Sequence, residues 1–80
     1  MVSIKILGSG CANCKRLEAL ARKVAGDLGL EAEFEKVTNM DDIMKWPILS
    51  TPGLVVNGQV VSSGRIPSEA EVVAWLKQAA

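Results

Sequence analysis

Residues 2–14 read VSIKILGSGCANC, and this stretch decides the fold. Apolar and polar side chains alternate over residues 2–7, which is the two-residue period of a half-buried β-strand. Gly8 and Gly10 then interrupt that pattern. From Cys14 onward, apolar residues recur at steps of three and four, the spacing of an amphipathic helix. The sequence therefore predicts a strand, a glycine-rich loop and a helix, with a pair of cysteines where the helix begins.

The middle of the chain predicts the end of this helix, a second strand and a short helix. The apolar stripe of the first helix consists of Leu17, Leu20, Ala21, Val24 and Leu28. Gly29 suits the left-handed residue that ends a helix. Residues 31–37 alternate polar with apolar side chains, and the outward glutamates are typical of a strand near a sheet edge. Asn39 is a suitable N-cap for a short helix that runs to about Lys45 and is ended by Pro47.

The last part of the chain predicts a hairpin and a final helix. Residues 53–56 and 59–63 are rich in β-branched side chains, and Asn-Gly at 57–58 separates them. Asn-Gly favours a type I′ turn, because both central residues need positive φ. Ser68 and Glu71 have the spacing of a capping box, which opens a helix. The apolar stripe of that helix consists of Val72, Val73, Leu76 and Ala79, with Trp75 beside it.

The element order β-α-β-α-β-β-α predicts an α/β fold. The first two strands are joined across a helix and should be parallel through a right-handed crossover. The last two should form an antiparallel hairpin. We therefore expect one domain over residues 1–80, with a four-stranded mixed sheet and helices on both faces.

The composition excludes several classes of function. Nine Lys and Arg balance nine Asp and Glu, so the chain has no global field to attract nucleic acid or an anionic membrane. One Phe and two Trp are too few aromatic residues for a base-stacking platform. The absence of histidine excludes a Ser-His-Asp triad, a Cys-His pair and an imidazole ligand to zinc. We expect neither nucleic acid nor a membrane as a partner.

The cysteine count and the hydropathy pattern indicate the compartment. Two cysteines cannot build a secreted scaffold with several disulfides. Residues 1–7 lack the basic region and the long apolar stretch of a signal peptide. The longest uncharged run, residues 46–64, is broken by prolines and glycines and does not have the pattern of a membrane span. We expect a monomeric protein in the reducing cytoplasm.

Cys11 and Cys14 carry the chemistry that the sequence suggests. A thiolate is the species that attacks a disulfide, and a free thiol with a pKa of about 8.5 is only slightly ionised at neutral pH. The first turn of a helix has unpaired N–H groups and a partial positive charge, which lower the pKa of a cysteine placed there. Cys14 follows one turn later on the same face. The spacing fits a nucleophile at Cys11 and a resolving thiol at Cys14, with no cofactor and no metal.

Other interpretations of the cysteine pair stay open. A zinc site would need two more ligands than this pair supplies, and the chain has no histidine. Residues 8–14 also resemble the loop that opens small copper-chaperone domains, although those run β-α-β-β-α-β. On that alternative, the thiols bind a soft ion such as Cu(I), Zn(II) or As(III). A redox-switched interaction domain without turnover, or an inert buried pair, are further alternatives.

A second motif, Ser50-Thr51-Pro52, stands just before the predicted third strand. Because proline cannot donate to a sheet ladder, it either begins a strand here or marks a cis peptide bond. Only about 5–6% of X-Pro bonds are cis. The tripeptide alone therefore favours the ordinary trans interpretation.

The combination of motifs resembles the thioredoxin superfamily in its shortest, glutaredoxin-like form, the small redox-active-disulfide proteins. The resemblance covers essentially the whole chain and is carried by CANC at 11–14, Thr-Pro at 51–52, LVVNG at 54–58 and SSGRIPS at 62–68. It implies a thioredoxin-like fold, in which the bond between Thr51 and Pro52 is cis and packs beside the disulfide. Thr51 would offer its backbone N–H and C=O to an extended substrate.

The resemblance also implies an activity and a set of partners. The implied enzyme is a thiol–disulfide oxidoreductase that acts on protein disulfides and is reduced again by an unidentified thiol reductase or dithiol donor. The chain has neither the Cys-Pro-Tyr-Cys of glutaredoxins nor the Trp-Cys-Gly-Pro-Cys of thioredoxins, so neither partner set is implied. No equivalent of the buried carboxylate that assists the second thiol in thioredoxins is recognisable in the sequence.

Overall fold

The sheet and helices follow the order that the sequence predicts. The structure, a computed structural model, describes residues 1–8, 12–48 and 50–79. In chain order the elements are β1 (Val2–Leu7), α1 (Ala12–Asp27), β2 (Ala32–Val37), α2 (Met40–Ile43), β3 (Gly53–Val56), β4 (Gln59–Ser63) and α3 (Glu69–Ala79). The predicted order β-α-β-α-β-β-α is confirmed.

The four strands form one mixed sheet in the order β2-β1-β3-β4. β1 runs parallel to β2 and antiparallel to β3, and β3 and β4 form the antiparallel hairpin. At the carboxyl end of β1, Leu7 pairs with Val37 on one side and Gly53 on the other. Because β1 is central, the loop that follows it leaves from the middle of the sheet.

The two long helices cover one face of this sheet. Every second residue of β1 points into that core, which is why Val2, Ile4 and Ile6 are each 3% exposed or less. The other fully buried members come from α1, β3 and α3: Leu17, Ala21, Val24, Leu54, Val72 and Leu76. Trp75 packs half-buried at the edge of this core.

The short helix α2 lies on the opposite face. There a smaller cluster is formed by Leu7, Val37, Ile43 and Val55, with Trp46 packed against it. The prediction of helices on both faces is therefore confirmed.

α2 ends at Ile43, two residues before the predicted end at Lys45. The N–H groups of Lys45 and Trp46 bond the carbonyls three residues back, so the chain tightens into turns. Pro47 is the physical reason, because in a continued helix its ring would clash with the Ile43 carbonyl and it has no N–H to donate to that carbonyl.

The turn residues behave as their chemistry predicts. Gly29 has φ +66° after α1, and the hairpin turn has positive φ at both Asn57 and Gly58. At the start of α3, the Ser68 hydroxyl accepts from the Glu71 N–H, and the Glu71 carboxylate accepts from the Ser68 N–H. Among the described residues, no helix has the length and apolar character needed to cross a membrane.

Candidate functional site

Cys14 lies in the first turn of α1 and is 6% exposed. Its partner in the sequence motif, Cys11, lies outside the described residues, so the predicted geometry of the pair stays a prediction. In the sequence, Cys11 directly precedes Ala12, the first residue of α1. The structure therefore locates one of the two predicted thiols, at the junction between β1 and α1.

Gly8 makes room for the Cys14 sulfur. Gly8 is buried, and its N–H donates to the Val37 carbonyl at 2.9 Å, which fixes the backbone just beyond β1. A β-carbon on residue 8 would overlap the Cys14 Sγ. The sequence pattern predicts Gly8 only as a strand breaker. Gly8 stands just ahead of the cysteine motif, and this position was the signal in the sequence for its contact with Cys14.

Thr51 also lies close to Gly8. Its Cβ is 3.9 Å from the point where a β-carbon of residue 8 would stand, the point that the Cys14 Sγ overlaps. The structure thus brings together two of the predicted site residues, Cys14 and Thr51, which are far apart in sequence. Both lie near Gly8.

The peptide bond between Thr51 and Pro52 is cis, which is the isomer that the family resemblance implies. Pro52 is buried and Thr51 is exposed. The Pro52 carbonyl accepts a hydrogen bond of 2.9 Å from the N–H of Gly64, just after β4. The segment that carries the cis peptide bond is thereby held between the end of β1 and the end of β4.

A small cavity of about 90 Å³ lies behind Cys14 and contains a carboxylate, Glu18. Glu18 stands one helical turn after Cys14, and its side chain is only 16% exposed. It accepts a hydrogen bond from Arg22 at 3.0 Å, and the Lys36 Nζ lies 3.6 Å away. The Arg22 bond, together with the Lys36 charge, lowers the pKa of Glu18 below its ordinary value of 4.5 and favours the charged form, although partial burial opposes the shift.

Glu18 is a neighbour of the second thiol that was not predicted from the sequence. The signal was present, because residues four apart on a helix share a face. What the sequence could not supply was Lys36, which comes from β2 and completes the ion pair across the cavity.

Two further residues, Arg65 and Trp46, have partners in the structure. The Arg65 guanidinium donates a hydrogen bond to each carboxylate oxygen of Glu71, at 3.0 and 2.7 Å. The hydrogen bonds from Arg65, followed by the one from the Ser68 N–H, lower the pKa of Glu71 from 4.5 to about 2. Trp46 is half-buried, and the Lys5 Nζ lies 5.6 Å from its ring centroid. Both residues therefore act in packing and capping in this structure.

The described residues give no support to a metal site. Within residues 1–8, 12–48 and 50–79, no three His, Cys, Asp or Glu side chains are grouped so that they could hold an ion. The observed element order also differs from the β-α-β-β-α-β order of copper-chaperone domains.

Comparison with known proteins gives a family match over nearly the whole chain. A family model described as a thioredoxin domain matches residues 2–77, a span that includes the motifs at 11–14 and 51–52. A protein named thioredoxin from Methanothermobacter thermautotrophicus is 44% identical over 72 residues, 90% of this chain and 94% of the relative. A second, also named thioredoxin, from Methanocaldococcus jannaschii, is 38% identical over 77 residues, 96% of this chain and 88% of the relative.

Proposed function

This chain belongs to the thioredoxin family, and we propose that it works as a thiol–disulfide oxidoreductase with Cys11 as the attacking thiol and Cys14 as the resolving thiol. The activity class follows from family membership. The assignment of roles is supported by one observation above the others. Cys14 is buried in the first turn of α1, against Gly8 and beside Thr51, where an intermediate formed on its neighbour could be attacked from within the protein.

In the first step, the Cys11 thiolate attacks one sulfur of a substrate disulfide. The bond between Cys11 and that sulfur forms while the substrate S–S bond breaks. The second substrate sulfur leaves as a thiolate and takes up a proton. The product is a mixed disulfide between the enzyme and its substrate.

In the second step, Cys14 gives up its proton and attacks the Cys11 sulfur. The mixed disulfide breaks, and the remaining substrate sulfur leaves and is protonated. The substrate has then gained two electrons as a dithiol. The enzyme has lost two electrons and holds a disulfide between Cys11 and Cys14. An external dithiol or thiol reductase returns it to the reduced form.

The start of α1 favours a negative charge on Cys11. α1 has 16 residues, and the N–H groups of its first turn give that end a partial positive charge. The first turn carries no acidic side chain that would oppose this effect, and the exposed Lys15 and Arg16 follow. The pKa of a thiol directly ahead of such a helix is expected to fall below that of a free cysteine.

Thr51 is the proposed contact for the substrate backbone. It is exposed, and no backbone hydrogen bond to its N–H or C=O is formed within the part of the chain that the structure describes. An extended substrate segment could therefore pair with both groups, as a short added strand. Pro52, buried beneath it, would hold this edge next to the thiols.

We also propose the cellular setting expected from the sequence. The chain acts as one thioredoxin-like domain, needs no cofactor and works as a monomer in the cytoplasm. Its partners are protein disulfides and a dithiol donor. The count of only two cysteines supports a reducing compartment, in which both thiols stay ready to attack.

The test is reduction of insulin disulfides by dithiothreitol, with and without the protein. We expect catalysis by the wild type and none by Cys11→Ser. Cys14→Ser should stop at the first step and hold substrate as a mixed disulfide on Cys11, which mass spectrometry detects. Activity retained in Cys11→Ser, or adducts equally abundant in both variants, would contradict the assigned roles.

A further inference from the structure

Within residues 1–8, 12–48 and 50–79, a few basic side chains have no ion pair. The Lys and Arg side chains that do pair with a carboxylate are Arg22, Lys23, Lys36, Lys45 and Arg65. Lys5 lies over the Trp46 ring instead. Those that remain are Lys15, Arg16 and Lys77, and all of them are exposed. Lys15 and Arg16 directly follow Cys14 in α1.

Lys15 and Arg16, which we name the basic pair, dominate the charge beside the redox site. Lys15 lines the same small cavity as Cys14. Glu18, the carboxylate of that cavity, is already paired with cations from α1 and β2. The charges of the basic pair are therefore not neutralised within the part of the chain that the structure describes. The partial positive charge at the start of α1 adds to them.

The unpaired carboxylates lie elsewhere. Among the described residues they are Glu31, Glu33, Glu35 and Asp41. Lys36 of β2 pairs with Glu18 of α1, so Glu33 and Glu35, at alternate positions of that strand, face away from α1. Asp41 stands in the first turn of α2. The net charge of zero therefore conceals a separation, with uncompensated positive charge at the start of α1.

We propose that the basic pair binds acidic side chains that flank the reactive cysteine of a polypeptide substrate. The inference rests on the proposed function, because the polypeptide is taken to bring its disulfide to Cys11. The Cys11 thiolate would itself repel an acidic substrate, and the basic pair offsets that repulsion. Attraction between opposite charges also raises the rate of association. Nucleic acid is acidic too, but it carries no disulfide to bring to the thiols.

The test compares three peptides that differ only in the charge next to their single cysteine. That cysteine carries thionitrobenzoate as a mixed disulfide and is flanked on both sides by glutamate, by glutamine or by lysine. Attack by Cys11 on the peptide sulfur releases coloured thionitrobenzoate, so absorbance gives the second-order rate constant. Each rate constant is divided by that of mercaptoethanol with the same peptide, which removes differences in intrinsic reactivity.

The wild-type protein should prefer the acidic peptide. We expect the glutamate peptide to react about tenfold faster than the lysine peptide at about 0.01 M salt, with the glutamine peptide between them. The ratio should fall towards one at about 1 M salt, because charges are then screened beyond about 3 Å. This ratio does not depend on how far Cys11 is ionised, since the same thiolate attacks every peptide.

Two double variants locate the preference. Lys15→Gln with Arg16→Gln removes both charges and should lose most of the preference for glutamate over lysine. Lys15→Glu with Arg16→Glu should reverse it. Both positions are exposed, so these changes leave the core intact.

The matched control is Lys77→Glu, which changes the net charge by as much as the glutamine double variant does. Lys77 is exposed and lies in the last turn of α3. The end of α3 bonds to Asn57, which is held to Ser3 at the opposite end of β1 from Gly8. Lys77→Glu should therefore keep the wild-type ratio.

The outcomes separate the two proposals. A wild-type protein that reacts with none of the peptides contradicts the proposed function itself. Reaction with all three, with the glutamate peptide no faster than the lysine peptide, overturns only the inference about the basic pair. The inference is also overturned if the preference is insensitive to salt, if the glutamine double variant keeps it in full, or if Lys77→Glu loses it to the same extent.

Discussion

The Cys14 sulfur overlaps the position where a side chain on residue 8 would place its β-carbon. The close approach joins the end of β1 to the first turn of α1. It keeps the second thiol buried while Thr51 remains exposed beside it. In the resolving role that we propose for Cys14, a buried thiol is protected from solvent oxidants but is available to an intermediate formed on its neighbour. The fit between Gly8 and Cys14 should therefore matter for the second step of the reaction.

Gly8→Ala tests this fit. The added methyl group must displace the Cys14 side chain or part β1 from α1, and such overpacking typically costs about 1–3 kcal/mol of unfolding free energy. Because the resolving thiol moves, the mixed disulfide on Cys11 should persist longer than in the wild type. Urea unfolding measures the first effect, and mass spectrometry of quenched reactions measures the second.

The matched control is Gly26→Ala, also a glycine-to-alanine change. Gly26 lies inside α1 with nothing within 4 Å of the position of an added β-carbon. Alanine should stabilise the helix there by about 0.5–1 kcal/mol and leave the mixed disulfide lifetime unchanged. If Gly8→Ala behaves like Gly26→Ala in both measurements, the close approach to Cys14 is not important.

Glu71→Gln tests the ion pair at the start of α3. Glutamine can still accept the hydrogen bond from the Ser68 N–H, but it lacks the negative charge that pairs with Arg65. The pKa of Glu71 falls from 4.5 to about 2 on folding, so the unfolded chain binds the proton more tightly. The resulting stability is fully present above pH 4.5 and is lost as the pH falls towards 2.

Thermal unfolding midpoints between pH 2 and pH 7 measure this effect. The wild type should unfold at a higher temperature than Glu71→Gln near neutral pH. The gap should shrink below pH 4.5 and close near pH 2. A gap that stays constant over the whole range would mean that the charge of Glu71 does not contribute to stability.

Asn57→Gly tests how the side-chain hydrogen bonds of Asn57 attach the hairpin turn to β1 and α3. The Asn57 amide accepts from the Ser3 N–H at 2.9 Å and donates to the Ala79 carbonyl at 3.2 Å. Glycine tolerates the positive φ of this turn but loses both side-chain bonds, so we expect a loss of about 1–2 kcal/mol of unfolding free energy. Reductase activity should not change, because the turn lies at the opposite end of β1 from Gly8. An unchanged denaturation midpoint, or a fall in activity of the folded protein, would go against this expectation.

Local chemistry explains what could be predicted from the sequence. The positive-φ turn at Asn57 and the capping box of Ser68 and Glu71 each depend on residues within a few positions of one another. The strand and helix periodicities of the apolar side chains are also local patterns, so the element order could be predicted from them. The thioredoxin resemblance supplied the pairing of the cysteine motif with Thr51, which no local pattern contains.

Most of the features that escaped prediction depend on contacts between distant segments. The approach of Gly8 to Cys14 is set by how α1 leaves β1. The ion pair of Glu18 with Lys36 needs β2 beside α1. The early end of α2 is the exception, because the effect of Pro47 on the helical turn before it was available from the sequence.

The central claim is that the start of α1 stabilises a thiolate on Cys11. In Cys14→Ser, Cys11 is the only thiol of the chain, so the rate of its alkylation by iodoacetamide between pH 4 and pH 10 reports its ionisation alone. We predict that the rate rises with a midpoint well below the value of about 8.5 for a free cysteine. A midpoint at or above that value would contradict the account.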